Sequence, residues 1–130
     1  KEQLRKRGDS FDDRMKVGIM IEVPAIAMQA DKVAELVDFA SIGTNDLSQA
    51  LGKSDRQHMT VEEYYQSNNE NMRKLLQGIF EAFDKAGKPV SVCGEMAGNP
   101  QLAEMLVDLG AKSLSMNVTG IATVKAHLLR

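Results

Sequence analysis

Val17-Gly18-Ile19-Met20-Ile21-Glu22-Val23-Pro24 is the stretch on which the fold turns. Its apolar run from Val17 to Ile21 is unbroken, as expected of a strand covered on both faces rather than of a half-exposed one. The run ends in a carboxylate, and Pro24 both stops the strand and suits the first turn of a helix. Two further stretches repeat the plan: Val37-Asp38-Phe39-Ala40-Ser41-Ile42-Gly43-Thr44-Asn45-Asp46 and Pro89-Val90-Ser91-Val92-Cys93-Gly94-Glu95. Each apolar run therefore delivers a reactive group (Glu22, the Asn45-Asp46 pair, the single cysteine Cys93) to a strand-to-helix junction. In parallel α/β architectures that is the C-terminal edge of the strands, where chemistry collects.

Outward from these runs, the spacing predicts a helix over Ala25 to Leu36, with Ile26, Val33, Leu36 and Val37 near one stripe. A strand over Phe39 to Ile42 follows, then a tight turn at Gly43 and a short helix with Asn45 or Asp46 as its N-cap. Gly52 to Tyr65 is polar, carries Arg56 and His58, and reads as a long loop. Met72, Leu75, Leu76, Ile79, Phe80 and Phe83 recur at helical spacing within Asn69 to Ala86, and Gly87-Lys88-Pro89 ends that helix. Val90 to Cys93 is the third strand, and Asn99-Pro100 supplies an N-cap and first-turn proline for the next helix. Ser113 to Met116 reads as a short fourth strand and Gly120 to Leu129 as the last helix. Residues 1–16 read as a charged helical tail, closed by Gly8-Asp9, plus a polar linker; residues 17–130 are then four βα units.

Alternating βα units imply a parallel sheet with right-handed crossovers. The fold class is therefore α/β, either a Rossmann-like sheet or part of a TIM barrel. A whole barrel takes about 250 residues, so a chain of 130 residues would supply half of one. Such a half would leave apolar strand edges at Val17 to Ile21 and Ser113 to Met116, so self-association is expected. The first residue, Lys1, falls inside a helical pattern, and the chain is expected to be a piece of something longer.

Composition narrows the function. With 43% apolar residues there is enough for a core, and 16 basic against 18 acidic residues leave a surface without the basic stripe that nucleic acid demands. No apolar run approaches the length of a membrane span. One cysteine allows no internal disulfide, which fits a reducing, cytoplasmic setting.

Taken singly, Glu22 reads as a strand-end carboxylate turned to solvent and Asp46 as a helix cap. Together, two carboxylates from neighbouring strand ends can hold a hard divalent cation such as Mg²⁺, leaving its other positions to water and substrate oxygens. The turn Gly43-Thr44-Asn45-Asp46 presents backbone N–H groups suited to an anion, and Arg56 can close over such an anion. Cys93 reads either as a small buried hydrophobe or, given the following Gly94-Glu95-Met96-Ala97-Gly98, as an acid, base or nucleophile. His58 and His127 lie away from these junctions and read as incidental.

The segments Gly18-Ile19-Met20-Ile21-Glu22-Val23-Pro24-Ala25, Ser41-Ile42-Gly43-Thr44-Asn45-Asp46-Leu47-Ser48-Gln49, Asp55-Arg56, Gly87-Lys88-Pro89 and Cys93-Gly94-Glu95-Met96-Ala97-Gly98 occur in this order from about residue 16 to the end. Together they resemble the phosphoenolpyruvate-utilising family, and within it most closely the enzyme I branch of the bacterial phosphotransferase system. Val90-Ser91-Val92-Cys93 and Leu114-Ser115-Met116-Asn117 resemble its nitrogen-related subgroup, although the sequence does not separate a sugar-uptake from a nitrogen-regulation role. The resemblance implies the C-terminal half of a (β/α)8 barrel that binds phosphoenolpyruvate and Mg²⁺. It implies Glu22 and Asp46 as metal ligands, Asn45, Asp46 and Arg56 as substrate contacts, and Cys93 as the group that moves the proton at the methylene carbon. The implied reaction passes phosphoryl from phosphoenolpyruvate to a protein histidine, leaving pyruvate, with a phosphohistidine domain and a phosphocarrier protein as partners. The family's phosphorylated histidine lies in a separate domain, and its Gly-rich Thr-x-His context does not occur here. The segment from Ala50 to Ser54 and the residues Gln57-His58-Met59 also depart from the family pattern around Arg56. A non-catalytic pyruvate- or phosphoenolpyruvate-binding module, and a piece of a pyruvate phosphate dikinase or phosphoenolpyruvate synthase, are the alternatives.

Overall fold

The computed structural model describes residues 1–54 and 70–130. Among these, strands β1 (Gly18–Ile21), β2 (Phe39–Gly43) and β3 (Val90–Cys93) pair in parallel and in chain order. Sequential parallel order means that each crossover steps the same way, so the crossover helices share one face of the sheet. A doubly wound sheet would reverse its order at a switch point. Of the two architectures the strand pattern leaves open, the three strands in chain order are consistent with part of a (β/α) barrel, the one the family resemblance implies.

The register sets Ile19 against Ala40 and Ala40 against Val90, and one rung of pairs higher Ile21 against Ile42 and Ile42 against Val92. Ile21, Ile42 and Val92 are fully buried, and they pack in one core with Leu76, Ile79 and Phe83. Those last three come from the longest helix, α5 (Glu70–Lys85), whose buried face is the one its spacing predicts. The opposite face of the sheet carries Phe39, Met20, Ser41, Ser91 and Cys93, and Met20 is 48% exposed there. Phe39 lies over its cross-strand partner Gly18, where a Cβ would come within 2.4 Å of the ring. Glycine at that position lets the aromatic ring cover the strand.

Helix α1 (Glu2–Arg7) buries nothing and ends at Gly8 in the left-handed conformation, φ 76°. The expected helix from Ala25 to Leu36 is instead two pieces, α2 (Pro24–Ala27) and α3 (Ala30–Leu36). At the break the side chain of Gln29 donates to the Ala25 carbonyl at 3.0 Å. The redirection lets three alanines, Ala27, Ala30 and Ala34, meet the core and leaves Leu36 84% exposed, off the expected stripe. Helix α4 (Thr44–Ser54) starts directly from β2 and takes in Gly52 to Ser54, where loop was expected. Asn45 and Asp46 consequently lie inside its first turn rather than at a cap.

At the end of α5, Gly87 (φ 66°) closes a Schellman arrangement in which the Lys88 N–H reaches the Phe83 carbonyl and the Gly87 N–H reaches Asp84. The Lys88 ammonium then crosses to α3, donating to the carbonyls of Ala34 at 2.5 Å and Glu35 at 3.2 Å. A cation on a helix C-terminus satisfies orphan carbonyls and complements the dipole. Lys88→Met is expected to lower stability by about 1–2 kcal/mol, read as a shift in the urea midpoint. Lys112→Met, which removes an exposed pair with Asp84, should cost about 0.5 kcal/mol or less. Equal shifts for both would show that Lys88 caps nothing.

Beyond β3 come a short helix α6 (Glu95–Gly98), unforeseen in the sequence, then α7 (Pro100–Asp108) and α8 (Val118–Leu128). Asn99 caps α7 as expected, its side-chain oxygen accepting from the Leu102 N–H at 3.1 Å. The expected fourth strand, Ser113 to Met116, is only a single parallel bridge from Leu114 to Val92, held by two backbone hydrogen bonds to Val92. β3 turns away at Gly94, and on the other side Asn117 caps α8, so pairing stops after one rung. Among the described residues no helix is long and apolar enough to cross a membrane.

Candidate active site

The rung after Ile21, Ile42 and Val92 holds Glu22, Gly43 and Cys93, with Gly43 and Cys93 as register partners. Strand alternation turns these away from the helix-covered core, toward the open face of the sheet. Gly43 makes the approach close: a Cβ there would lie 3.2 Å from both the Cβ and Oε2 of Glu22. The carboxylate is therefore seated over a backbone that has no side chain to hold it off. Glu22 and Cys93 are each half-buried, and Asp46 is exposed on the first turn of α4.

That first turn is tied to the loop after β3 by side chains. The Thr44 hydroxyl, fully buried, donates to the Cys93 carbonyl at 2.8 Å, and the Ser48 hydroxyl donates to the Thr44 carbonyl at 2.6 Å. Asn45 Oδ1 accepts from the Glu95 N–H at 3.0 Å. Gly94, at φ 98° and ψ −178°, passes so close that a Cβ would fall 2.4 Å from Thr44 Oγ1 and 2.7 Å from Asn45 Oδ1. Residues 44–46 and 93–95 thus form one rim across two strand ends. Cys93 Sγ lies 3.3 Å from the Ile42 carbonyl, 3.6 Å from Ser41 Oγ and 3.8 Å from Met20 Sδ.

Glu22, Asn45, Asp46 and Cys93 accordingly sit at the ends of three adjacent strands, where the sequence reading put them. Arg56 and His58 lie outside the described residues. His127 pairs with Glu104 at 2.8 Å between α8 and α7, beside a surface cleft that includes Gln101, Thr123 and Arg130 and shares no residue with the strand ends. Thr44, Ser41 and Ser91 were not foreseen as parts of the site. Alternation along β2 and β3 carries the signal for the two serines, since both precede the rim by two residues and so share its face.

The donors fit a hard cation that keeps much of its water. Among the described residues no group of three or more His, Cys, Asp or Glu side chains gathers into a cage of the kind zinc or calcium takes. Carboxylates such as Glu22 and Asp46, from the junctions after neighbouring strands, are the kind of donor Mg²⁺ uses when substrate oxygens complete its shell.

Comparison with known proteins gives a consistent result. Residues 1–130 match the family described as PEP-utilising enzyme, PEP-binding domain. The phosphoenolpyruvate-protein phosphotransferase of Bacillus subtilis (strain 168) is 41% identical over 128 residues, which are 98% of this chain and 22% of that protein. That of Streptococcus equinus is 41% identical over 126 residues, 97% of this chain and 22% of the relative. That of Staphylococcus aureus is 40% identical over 128 residues, with the same 22% of its length covered. The chain spans about a fifth of the length of the curated relatives it matches.

Proposed function

The chain belongs to the PEP-utilising enzyme family, matching its PEP-binding domain over residues 1–130, and from that premise we propose that its strand ends carry the substrate and proton-transfer half of a phosphoenolpyruvate-protein phosphotransferase site. The observation that supports this most is the single rim: Glu22 over Gly43, Cys93 beside it, and Asn45 strapped to Glu95. In the whole protein the reaction would pass phosphoryl from phosphoenolpyruvate to a protein histidine and release pyruvate, with the phosphocarrier protein downstream.

Each residue has a definite task in that scheme. Glu22 and Asp46 would hold Mg²⁺, which when bound supplies charge neutralisation for the phosphate and the enolate oxygen. Asn45, fixed through Oδ1 by the Glu95 N–H, is held rigidly enough at the rim to orient the anionic end of the substrate. Cys93 gives its thiol proton to the methylene carbon of enolpyruvate, converting the enolate to pyruvate. Cys93 is only half-buried, at the end of β3 on the same rim as Asn45 and Glu22.

The test is Mn²⁺ binding followed by electron paramagnetic resonance, with and without phosphoenolpyruvate. Binding should tighten when phosphoenolpyruvate is present, and Asp46→Asn should weaken it by about a hundredfold or more, since loss even of a residue that merely orients a ligand costs about 10–100-fold. Mn²⁺ affinity indifferent to both phosphoenolpyruvate and Asp46→Asn would remove the metal ligands from this reading.

A further inference from the structure

Cys93 is the end of a row of hydroxyl groups. One layer below the rim, Met20, Ser41 and Ser91 are register partners on the same open face. Ser91 Oγ lies 3.1 Å from Ser41 Oγ, which lies 3.6 Å from Cys93 Sγ. The direction of these bonds follows from the last link. The thiol hydrogen is engaged by the Ile42 carbonyl at 3.3 Å, and a carbonyl can only accept. The sulfur is therefore left to accept from Ser41, and Ser41, having given its own hydrogen, accepts from Ser91.

Small residues facing the interior of a barrel are ordinarily filler. Two hydroxyls aligned head to tail and ending on the thiol of the site are a more specific arrangement. We propose that Ser41 is a positioning residue for proton transfer by Cys93, and that Ser91 acts only by orienting Ser41. This rests on the assignment of Cys93 as proton donor made above. In that step a C–H bond forms at the methylene carbon, the S–H bond breaks, and its electron pair stays on sulfur. The enolate oxygen meanwhile returns to a carbonyl as the carbon–carbon double bond becomes single. Negative charge thus appears on an atom at which the Ser41 O–H is already aimed. A hydrogen bond that strengthens as charge develops accelerates the step rather than merely holding the ground state. Donation from Ser91 polarises the Ser41 hydroxyl further, as in any chain of hydrogen bonds.

The experiment is exchange of the methyl protons of pyruvate for deuterium, followed by NMR in the full-length protein that carries this chain, with Mg²⁺ present. Ser41→Ala should slow exchange at saturating pyruvate by about 10–100-fold, the worth of a hydrogen bond to a charged group, with the KM for pyruvate unchanged. Ser41→Thr, which keeps the hydroxyl and suits a strand, should restore most of the rate. Ser91→Ala should cost only a few-fold, and adding it to Ser41→Ala should cost nothing more, because its effect passes through Ser41. A Ser41→Ala rate within about twofold of the unmodified protein, a loss carried entirely by KM, or additive effects of the two serines would overturn the inference. Cys93→Ala in the same assay separates the two levels. Exchange that survives it removes the proton-donor assignment and this inference together; exchange lost with Cys93→Ala but untouched by Ser41→Ala removes the inference alone.

Discussion

Gly94→Ala is expected to destabilise the protein by about 2–6 kcal/mol, a large fraction of the roughly 5–15 kcal/mol by which a domain is ordinarily stable. Two independent costs meet at this residue. Its backbone, φ 98° and ψ −178°, lies in a region that side chains other than glycine's hardly enter. A Cβ would also land 2.4 Å from the buried Thr44 hydroxyl oxygen and 2.7 Å from Asn45 Oδ1. Neither neighbour can yield cheaply, since Thr44 is fully buried and bonded to Cys93, while Asn45 is bonded to Glu95. Gly87→Ala is the internal control: φ is 66° there, but nothing lies within 4 Å of the added carbon. It should show the backbone cost alone, about 1–2 kcal/mol. Urea denaturation of both variants shows how far the backbone strain and the steric contacts at Gly94 together exceed the cost of an ordinary left-handed position. If Gly94→Ala unfolds no more easily than Gly87→Ala, the two halves of the rim are not packed as described.

The same loop shows what the sequence could and could not disclose. Fold class was legible because uninterrupted apolar runs alternating with helical spacing leave few solutions, and α5 buries the predicted face, with Leu75 alone of the stripe only partly buried. The strand ends were legible for the same reason, so Glu22, Asn45, Asp46 and Cys93 could be placed without any contact information. Three of the features that were hidden share a cause. The break between α2 and α3 is marked by neither glycine nor proline, and only the fold shows Ala27 before it and Ala30 and Ala34 after it meeting one core. The fourth strand has strand-like residues but meets β3 at only one bridge, Leu114 with Val92, and pairing is a property of two segments, not one. The third feature is the tie from Thr44 to Cys93 and from Asn45 to Glu95, which joins residues 49 and 50 positions apart. Glycine and threonine at those positions have many uses, and only the tertiary fold selects among them. Rim geometry was therefore invisible even though Glu22, Asn45, Asp46 and Cys93 were not.

Replacement of Cys93 gives the largest expected effect on chemistry. Making phosphoenolpyruvate from pyruvate requires a proton to leave the methyl carbon beside the ketone, so that direction depends strongly on a positioned group that accepts it. The described groups bonded to or touching Sγ are the Ser41 hydroxyl, the Ile42 carbonyl and the Met20 thioether, and none is a base able to take over. In the full-length protein Cys93→Ala should therefore slow formation of phosphoenolpyruvate from pyruvate and the phosphorylated enzyme by about 10²–10⁴-fold, the range for a positioned acid–base group. Phosphoryl transfer in the other direction should fall less, because enolpyruvate once released can gain its proton from water. Cys93→Ser discriminates chemistry from packing. A hydroxyl keeps the hydrogen bonds to Ile42 and Ser41 and fills nearly the same space, yet it is a far weaker acid than a thiol. It should therefore fail as badly as alanine while leaving the urea midpoint and Mn²⁺ affinity near their original values. A Cys93→Ser protein that makes phosphoenolpyruvate at close to the original rate would mean that the sulfur occupies a seat at the rim and that the proton travels by another path.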